Sequence, residues 1–367
     1  MRDMRPTMKY LHVLLASLAL LPAPMLRGQD LHYSQFYHNP MHLSPAAAGQ
    51  FVGDMRAAVL NRSQWSSVPV DYRSFSGAFD LKLNDAKLIR YVRQSPKNNN
   101  SYRAPQSGRT SLSAGALIQR DQAGDGGLSW IQATLAIALA QQLGESYLSA
   151  GIGVGAVQRS VHPERLTFGN QWSGEIFDPG LPSKENIERS SGLSPTLSAG
   201  VHWRYQSPDT RTQTNFGAGL THLNRPRISL IDEALPDHPD SRLPRRMAAY
   251  ANAHLQLYTS LDLVTFGAWQ QMSAAREIVA GGGLRQILNS APGAYLALQA
   301  TGALRLGDAF IPALQVEYNN WIFGLSYDLN TSDFNIATQR RGGLELAVVW
   351  RSIPVPPSKT YKVCPIF

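Results

Sequence analysis

The feature that most constrains this chain is a long series of short runs in which apolar side chains alternate with small or polar ones. Fourteen such runs can be placed, over 54–62, 72–83, 110–119, 129–142, 146–158, 193–205, 213–223, 246–258, 261–271, 276–287, 293–304, 309–318, 320–329 and 341–351. A period of two marks a β-strand with two unlike faces. Most runs are about ten residues or a little longer, which is what a tilted strand needs to cross a bilayer. Fourteen is even, as a single-chain bacterial barrel requires. In the run around Leu148, one face carries Leu148, Ala150, Ile152, Val154 and Ala156, and the other Ser149, Gly151, Gly153 and Gly155. In the run around Ala251, one face carries Ala251, Ala253, Leu255 and Leu257, and the other Tyr250, Asn252, His254, Gln256 and Tyr258.

Period alone does not separate a membrane barrel from a soluble sandwich, because both alternate. Connection lengths discriminate better. With the N-terminus on the periplasmic side, the gaps that fall outside include 159–192, 224–245 and 330–340, whereas those that fall inside include 143–145, 259–260 and the turn at Asn319. Long outer loops and short inner turns are the arrangement of outer-membrane barrels. Segment 84–109 departs from it, being long on the short side. Trp65, Trp130, Tyr147, Trp203, Tyr258, Trp269, Trp321, Tyr327 and Trp350 flank strand ends, which suits interfacial aromatic belts. The fold expected is therefore all-β: a transmembrane antiparallel β-barrel of about 14 strands. Outside the N-terminus no apolar span is long enough for a membrane helix, and no βαβ alternation is visible.

Four regions follow. Residues 1–28 read as a secretory signal, with Arg2, Arg5 and Lys9 before the apolar run Leu11 to Leu21 and cleavage expected before Gln29. Residues 29–53 are an irregular lead-in with Pro40, Pro45, Tyr33, Phe36 and Tyr37, too apolar for a free tail and expected to pack in or under the barrel as a plug. Residues 54–351 are the barrel, and 352–367 a tail holding the lone cysteine, Cys364. One cysteine forms no intrachain disulfide and no cysteine metal cluster. The formal charge is +8, and segment 84–109 alone contributes +5 through six basic residues against Asp85. A local basic patch points to one acidic partner or to phosphate-rich headgroups rather than to nucleic acid.

Several short blocks then recur in a telling order. The opening QDLHYSQFYHNPMHLSPAAAG is followed by NRSQW at 61–65, RDQAGDGGLS at 120–129, VQRSVHPERLTFGNQW at 157–172, THLNRP at 221–226, SYDLNTSDF at 326–334, GGLEL at 342–346 and the final CPIF. In these blocks the chain resembles the PorP/SprF family of outer-membrane proteins, associated with type IX secretion and gliding motility in Bacteroidetes. Ser44 stands where the family pattern has Asn, and Ile366 where it has Arg or Lys. The resemblance implies a non-enzymatic protein of the bacterial outer membrane. It would bind or anchor a secreted adhesin through that protein's C-terminal domain and contact a periplasmic peptidoglycan-binding linker. The alternative on the same fold is a passive channel or a transporter of small apolar solutes.

Candidate chemistry is sparse. His32, His38 and His42 lie in the lead-in with Asp30 as the only nearby carboxylate before Asp54, a poor match to zinc ligand sets, so no metal or cofactor is expected. His222 could join Ser194, Ser198 or Ser229 in a hydrolase, but a triad is recognised by geometry and no G-x-S-x-G elbow is present. The glycines of GIGVGAVQ lie within a strand, so they form no phosphate loop. They are expected to relieve crowding where strands curve. The residues singled out for partner binding are Arg62, Gln64 and Trp65 at the end of the first strand, and Arg242, Arg245 and Arg246 where a long outer loop rejoins the barrel. An arginine in a barrel wall needs a partner in any case.

Overall fold

A computed structural model of the chain describes residues 31–64, 72–83, 110–124, 126–185, 187, 190–230, 242–291, 293–332 and 341–352. The expected signal peptide, Trp65, the basic segment 84–109, the C-terminal tail and Cys364 lie outside these residues.

Fourteen antiparallel strands close on themselves, each paired with its chain neighbour and β1 with β14. They are β1 (Met55–Gln64), β2 (Tyr72–Lys82), β3 (Thr110–Ala123), β4 (Leu128–Leu143), β5 (Ser146–Ser160), β6 (Ser194–Gln206) and β7 (Gln213–Thr221). The second half comprises β8 (Arg246–Gln256), β9 (Leu261–Met272), β10 (Ala275–Asn289), β11 (Leu296–Arg305), β12 (Ala309–Tyr318), β13 (Trp321–Asn330) and β14 (Arg341–Ser352). Closure leaves every strand with two neighbours, so no backbone edge faces lipid, where an unpaired amide would cost several kcal/mol. Lengths run from 9 residues in β7 to 16 in β4. Turns between strands are tight at the inner end, where Asn319 takes a left-handed φ of 52° and Gly144 one of 63°.

The alternation resolves into an oily outside and a polar, small-residue inside. Leu135, Ile137, Leu139, Ile152, Val154, Leu314, Phe323 and Leu346 are all exposed on the outer wall. Their sequence neighbours Ala136, Ala138, Glu345 and Ala347 are buried within. The inner belt is visible in Trp203 beside Tyr205 and in Trp321 beside Phe323, both stacked pairs. Trp130 does not join an outer belt. It turns inward and packs against the cluster of Leu31, Tyr33, Leu60 and Ala347. Tyr258 likewise lies beyond the end of β8 instead of continuing its inner face.

The lumen is filled by the chain's own lead-in. Residues 31–54 run from the outer half of the barrel down to the start of β1 through three short 3-10 turns, Phe36–His38, Pro40–His42 and Pro45–Ala47. Pro40 and Pro45 each occupy the first helical position, where the missing N–H costs nothing. Phe36, Leu43, Ala46, Ala47 and Ala48 are essentially inaccessible. Phe36 meets Phe266 of β9 edge-on at 6.0 Å between ring centres. The lead-in thus lies inside the barrel, not beneath it.

Three glycines admit it. Gly151, Gly200 and Gly219 are register partners across β5, β6 and β7 and make a smooth patch on the inner wall. A Cβ on Gly151 would stand 2.6 Å from the Ala46 Cα, one on Gly200 2.2 Å from the Ser44 Oγ, and one on Gly219 2.0 Å from the Leu43 carbonyl oxygen. At Gly151 and Gly219 backbone lies against backbone, and at Gly200 the Ser44 side chain fills the space, so these glycines serve close approach rather than strand curvature. Overpacking of a fitted interior typically costs about 1–3 kcal/mol. Gly219→Ala and Gly151→Ala are therefore expected to lower the thermal midpoint of the detergent-solubilised barrel. Gly267→Ala, where the nearest atom to the new Cβ is 3.5 Å away, should leave that midpoint nearly unchanged.

Candidate functional site

Buried charge organises the two ends of the lead-in. At the outer end, alternation turns Arg62 of β1, Arg305 of β11, Asp328 of β13 and Glu345 of β14 inward, where all four are buried. Arg62 Nη2 donates to Asp328 Oδ2 at 2.6 Å, and Arg305 Nη1 donates to the same oxygen at 2.6 Å. Arg305 Nε reaches Glu277 Oε1 at 2.8 Å. The lead-in is threaded through this cluster. Arg62 Nη1 donates to the His32 carbonyl at 3.0 Å, Arg305 Nη2 donates to the Ser34 hydroxyl at 2.7 Å, and that hydroxyl donates to Asp328 Oδ1 at 3.0 Å. The consecutive backbone amides of Ser34 and Gln35 donate one to each oxygen of Glu345, both at 2.8 Å. Charge-assisted bonds of this kind are about twice as strong as neutral ones.

The inner end repeats the device. Arg56 grips Asp80 of β2 with two bonds, Nε to Oδ1 at 2.9 Å and Nη2 to Oδ2 at 2.8 Å. Asp80 Oδ2 also accepts the Gly49 amide at 2.8 Å. Phe51 lies beneath two cations, Arg56 at 4.7 Å and Lys82 at 5.2 Å from its ring centre. Between the ends, Ser149 Oγ donates to the Ala46 carbonyl at 2.9 Å and Ser44 Oγ to the Ala218 carbonyl at 3.0 Å. Arg246 donates to the His42 carbonyl.

The residues singled out in sequence for partner binding therefore divide. Arg62, Gln64 and Arg246 are buried on the inner wall, and the guanidinium groups of Arg62 and Arg246 hold the lead-in from within. Arg242 and Arg245 are exposed at the outer rim; Arg242 bridges Arg227, and Arg245 Nε donates to the Leu223 carbonyl at 3.1 Å. Trp65 lies outside the described residues. Sequence reading assigned no role to Glu345, Asp328, Arg305, Glu277 or Asp80. A lone acid between outward leucines, as in Leu344-Glu345-Leu346, was the signal for them, since a charge on the inner face of a barrel strand demands a partner.

The outer rim carries the other candidate surface. The loop from 161 to 193 is built on its own hydrogen bonds, with Gln171 Oε1 accepting the Phe168 amide at 2.9 Å and a bridge pairing Trp172 with Phe177. It displays Trp172, Ile176, Phe177 and Leu193 to solvent, with Leu193 70% exposed. Below it Val157, Ile228 and Leu243 pack together with Trp130 and Met272, which ties the loop bases to the barrel. His222, of THLNRP, is fully buried with a left-handed φ of 59°, and its Nδ1 lies 2.9 Å from Thr196 Oγ1. Among the described residues no three His, Cys, Asp or Glu side chains gather in a group that could hold a metal.

Comparison with solved structures finds membrane barrels at very low identity. The chain is similar to the toluene transporter TbuX of Ralstonia pickettii, with 13% identity over 85% of this chain and 93% of that one, at a TM-score of 0.41. A FadL homologue of Pseudomonas aeruginosa matches with 11% identity over 84% and 92%, at 0.37. The ferric enterobactin receptor PfeA of Pseudomonas aeruginosa matches with 12% identity over 76% of this chain, at 0.34, and the chain spans 53% of that receptor's length. No match was found among curated proteins. The family model for the type IX secretion system membrane protein PorP/SprF matches residues 26–349, and with almost the whole barrel and the lead-in inside that match, the chain belongs to the PorP/SprF family of the outer membrane.

Proposed function

We propose that this barrel is a closed platform that holds a secreted surface protein at the outer face of the membrane and performs no bond chemistry. The single observation that carries this reading is the lead-in: a segment packed along the lumen, bonded to buried ion clusters at both ends, is built to stay. A lumen blocked along its middle leaves the rim as the surface for a large partner. There the 161–193 loop offers Trp172, Ile176 and Phe177, and exposed aromatic and apolar side chains on a rigid base are what interface cores are made of. Arg242 and Arg245 add exposed charge at the same end of the barrel. Membership of a secretion family supports a partner that is itself exported, a secreted adhesin or its C-terminal domain. A periplasmic peptidoglycan-binding linker would engage the inner end, the basic segment 84–109 being the candidate contact, and a role in gliding motility would follow from the adhesin. Export behind a leader cleaved before Gln29 would bring the chain to this place.

Two measurements check this reading. Affinity isolation of the tagged barrel from outer membranes in mild detergent is expected to recover a protein that carries its own export signal. Changing Trp172 and Phe177 together to Ala should cut that recovery at least about tenfold, since interface hot spots lose 2 kcal/mol or more on truncation. Recovery of no exported protein would defeat the reading. In planar bilayers the intact barrel should show no stable conductance; a steady open pore would favour the channel reading instead. Arg62→Ala removes one partner from a buried ion cluster, a change that costs about 3–5 kcal/mol. It should lower the thermal midpoint and produce intermittent conductance as the lead-in loosens. Arg62→Lys, which keeps the charge but loses the fork, should fall between the two.

A further inference from the structure

The lead-in does not fill the inner end of the lumen. A cavity of about 270 Å³ remains there, bounded by Tyr37 and Phe51 of the lead-in and by the inner halves of β6 to β14. Its wall holds five guanidinium groups, those of Arg56, Arg204, Arg211, Arg285 and Arg351. Three carboxylates answer them. Asp80 takes Arg56; Asp262 takes Arg211 and Arg285, each at 2.7 Å; Glu317 takes Arg285 through two bonds of 3.2 and 2.7 Å.

Arg204 and Arg351 are left over. Among the described residues neither forms a salt bridge. Arg204 reaches only Gln206 Oε1, at 3.4 Å, although it is 92% buried by its 8% exposure. The Nε of Arg351 is buried with no hydrogen-bond partner. Arg351 stands directly opposite Arg56 in the β1–β14 register, and like charges in that position repel. Arg56 is relieved by Asp80; Arg351 feels Glu317 only at a distance, that carboxylate being bonded to Arg285. The Nε2 atoms of His38 and His202, in two further wall residues, are also buried and unpartnered. A wall that holds two cations without a salt bridge and several orphaned polar atoms is costly unless something pairs with them.

We infer that this inner cavity is a binding site for a carboxylate carried on a small, partly apolar ligand of the periplasmic side, such as the C-terminal residue or two of a peptide. The guanidinium fork of an arginine matches a carboxylate, and Arg204 and Arg351 supply it. The rest of the wall decides against a bare inorganic anion. Asn215 and Asn252, bonded to each other at 2.7 Å, add a neutral polar stretch of wall, and Tyr37, Val264, Phe266 and Ile322 offer apolar contact that phosphate would leave unused. The volume lies just under the roughly 300–1,000 Å³ of drug-sized sites, so one or two residues fit and a folded domain does not. The site is at the opposite end of the barrel from the rim surface and does not depend on what the rim holds.

The test is calorimetric titration of the full detergent-purified barrel with N-acetyl-Ala-Phe as the free acid, with its C-terminal amide and with inorganic phosphate. The acid is expected to bind, and the amide at least about tenfold more weakly, because a charge-assisted bond is lost. Arg204→Gln and Arg351→Gln should each weaken the acid by a similar factor while the variants still migrate as folded barrels on unheated gels. Equal binding of acid and amide would overturn the assignment, as would no binding of the acid, phosphate binding as tightly as the acid, or folded variants that bind like wild type. The acid–amide comparison on the unaltered protein decides the matter should either variant fail to fold.

Discussion

The structure depends on the pairing of buried charge across the barrel wall. Asp328 is shared by Arg62 and Arg305, and Glu345 is satisfied by two successive backbone amides of the lead-in. Neither carboxyl group could sit in the lumen without these partners, since a buried polar or charged group left unpaired costs far more than the fold can spare. The wall therefore needs the lead-in as much as the lead-in needs the wall. Strands from opposite ends of the chain meet at this point, so the same contacts that seat residues 31–36 also hold the β1–β14 seam together.

Seen this way, the scattered blocks of the sequence have a common purpose. Ser34 and Gln35 of the opening block, Arg62 of NRSQW, Asp328 of SYDLNTSDF and Glu345 of GGLEL are separated by as many as 311 residues and converge on one cluster. That convergence gives a physical reason for the blocks to occur together, because each supplies one half of a buried pair. Ser44 shows how a departure from the family pattern is accommodated. It lies against Gly200 and satisfies its hydroxyl on the Ala218 carbonyl.

The two ends of the barrel differ in kind. The outer end is roofed by a self-supporting loop with aromatic side chains outward. The inner end is concave, lined by arginines of which two form no salt bridge among the described residues. A filled waist between them separates a convex surface suited to a large partner from a recess suited to a small one. The lead-in creates both by occupying the middle of the lumen.

Much of the fold was legible without coordinates. All fourteen strands were located from a period of two, because a wall with lipid on one side and a packed lumen on the other imposes opposite chemistry on successive residues, and that pattern is local. Long outer and short inner connections were legible for the same reason. What tertiary structure alone decided is which inward residues meet. Arg62 read as a local structural pairing or a partner contact, and Arg246 as a partner contact or a solvated loop residue; the closed barrel turned both onto the lead-in. Gly151, in GIGVGAVQ, read as relief where a strand curves until it aligned with Gly200 and Gly219 beneath the lead-in. Trp130 read as a belt residue until it was found packed on the cluster of Leu31, Tyr33, Leu60 and Ala347. Alternation assigns a side chain to a face; only closure of the sheet, which fixes register between strands far apart in sequence, assigns it a partner.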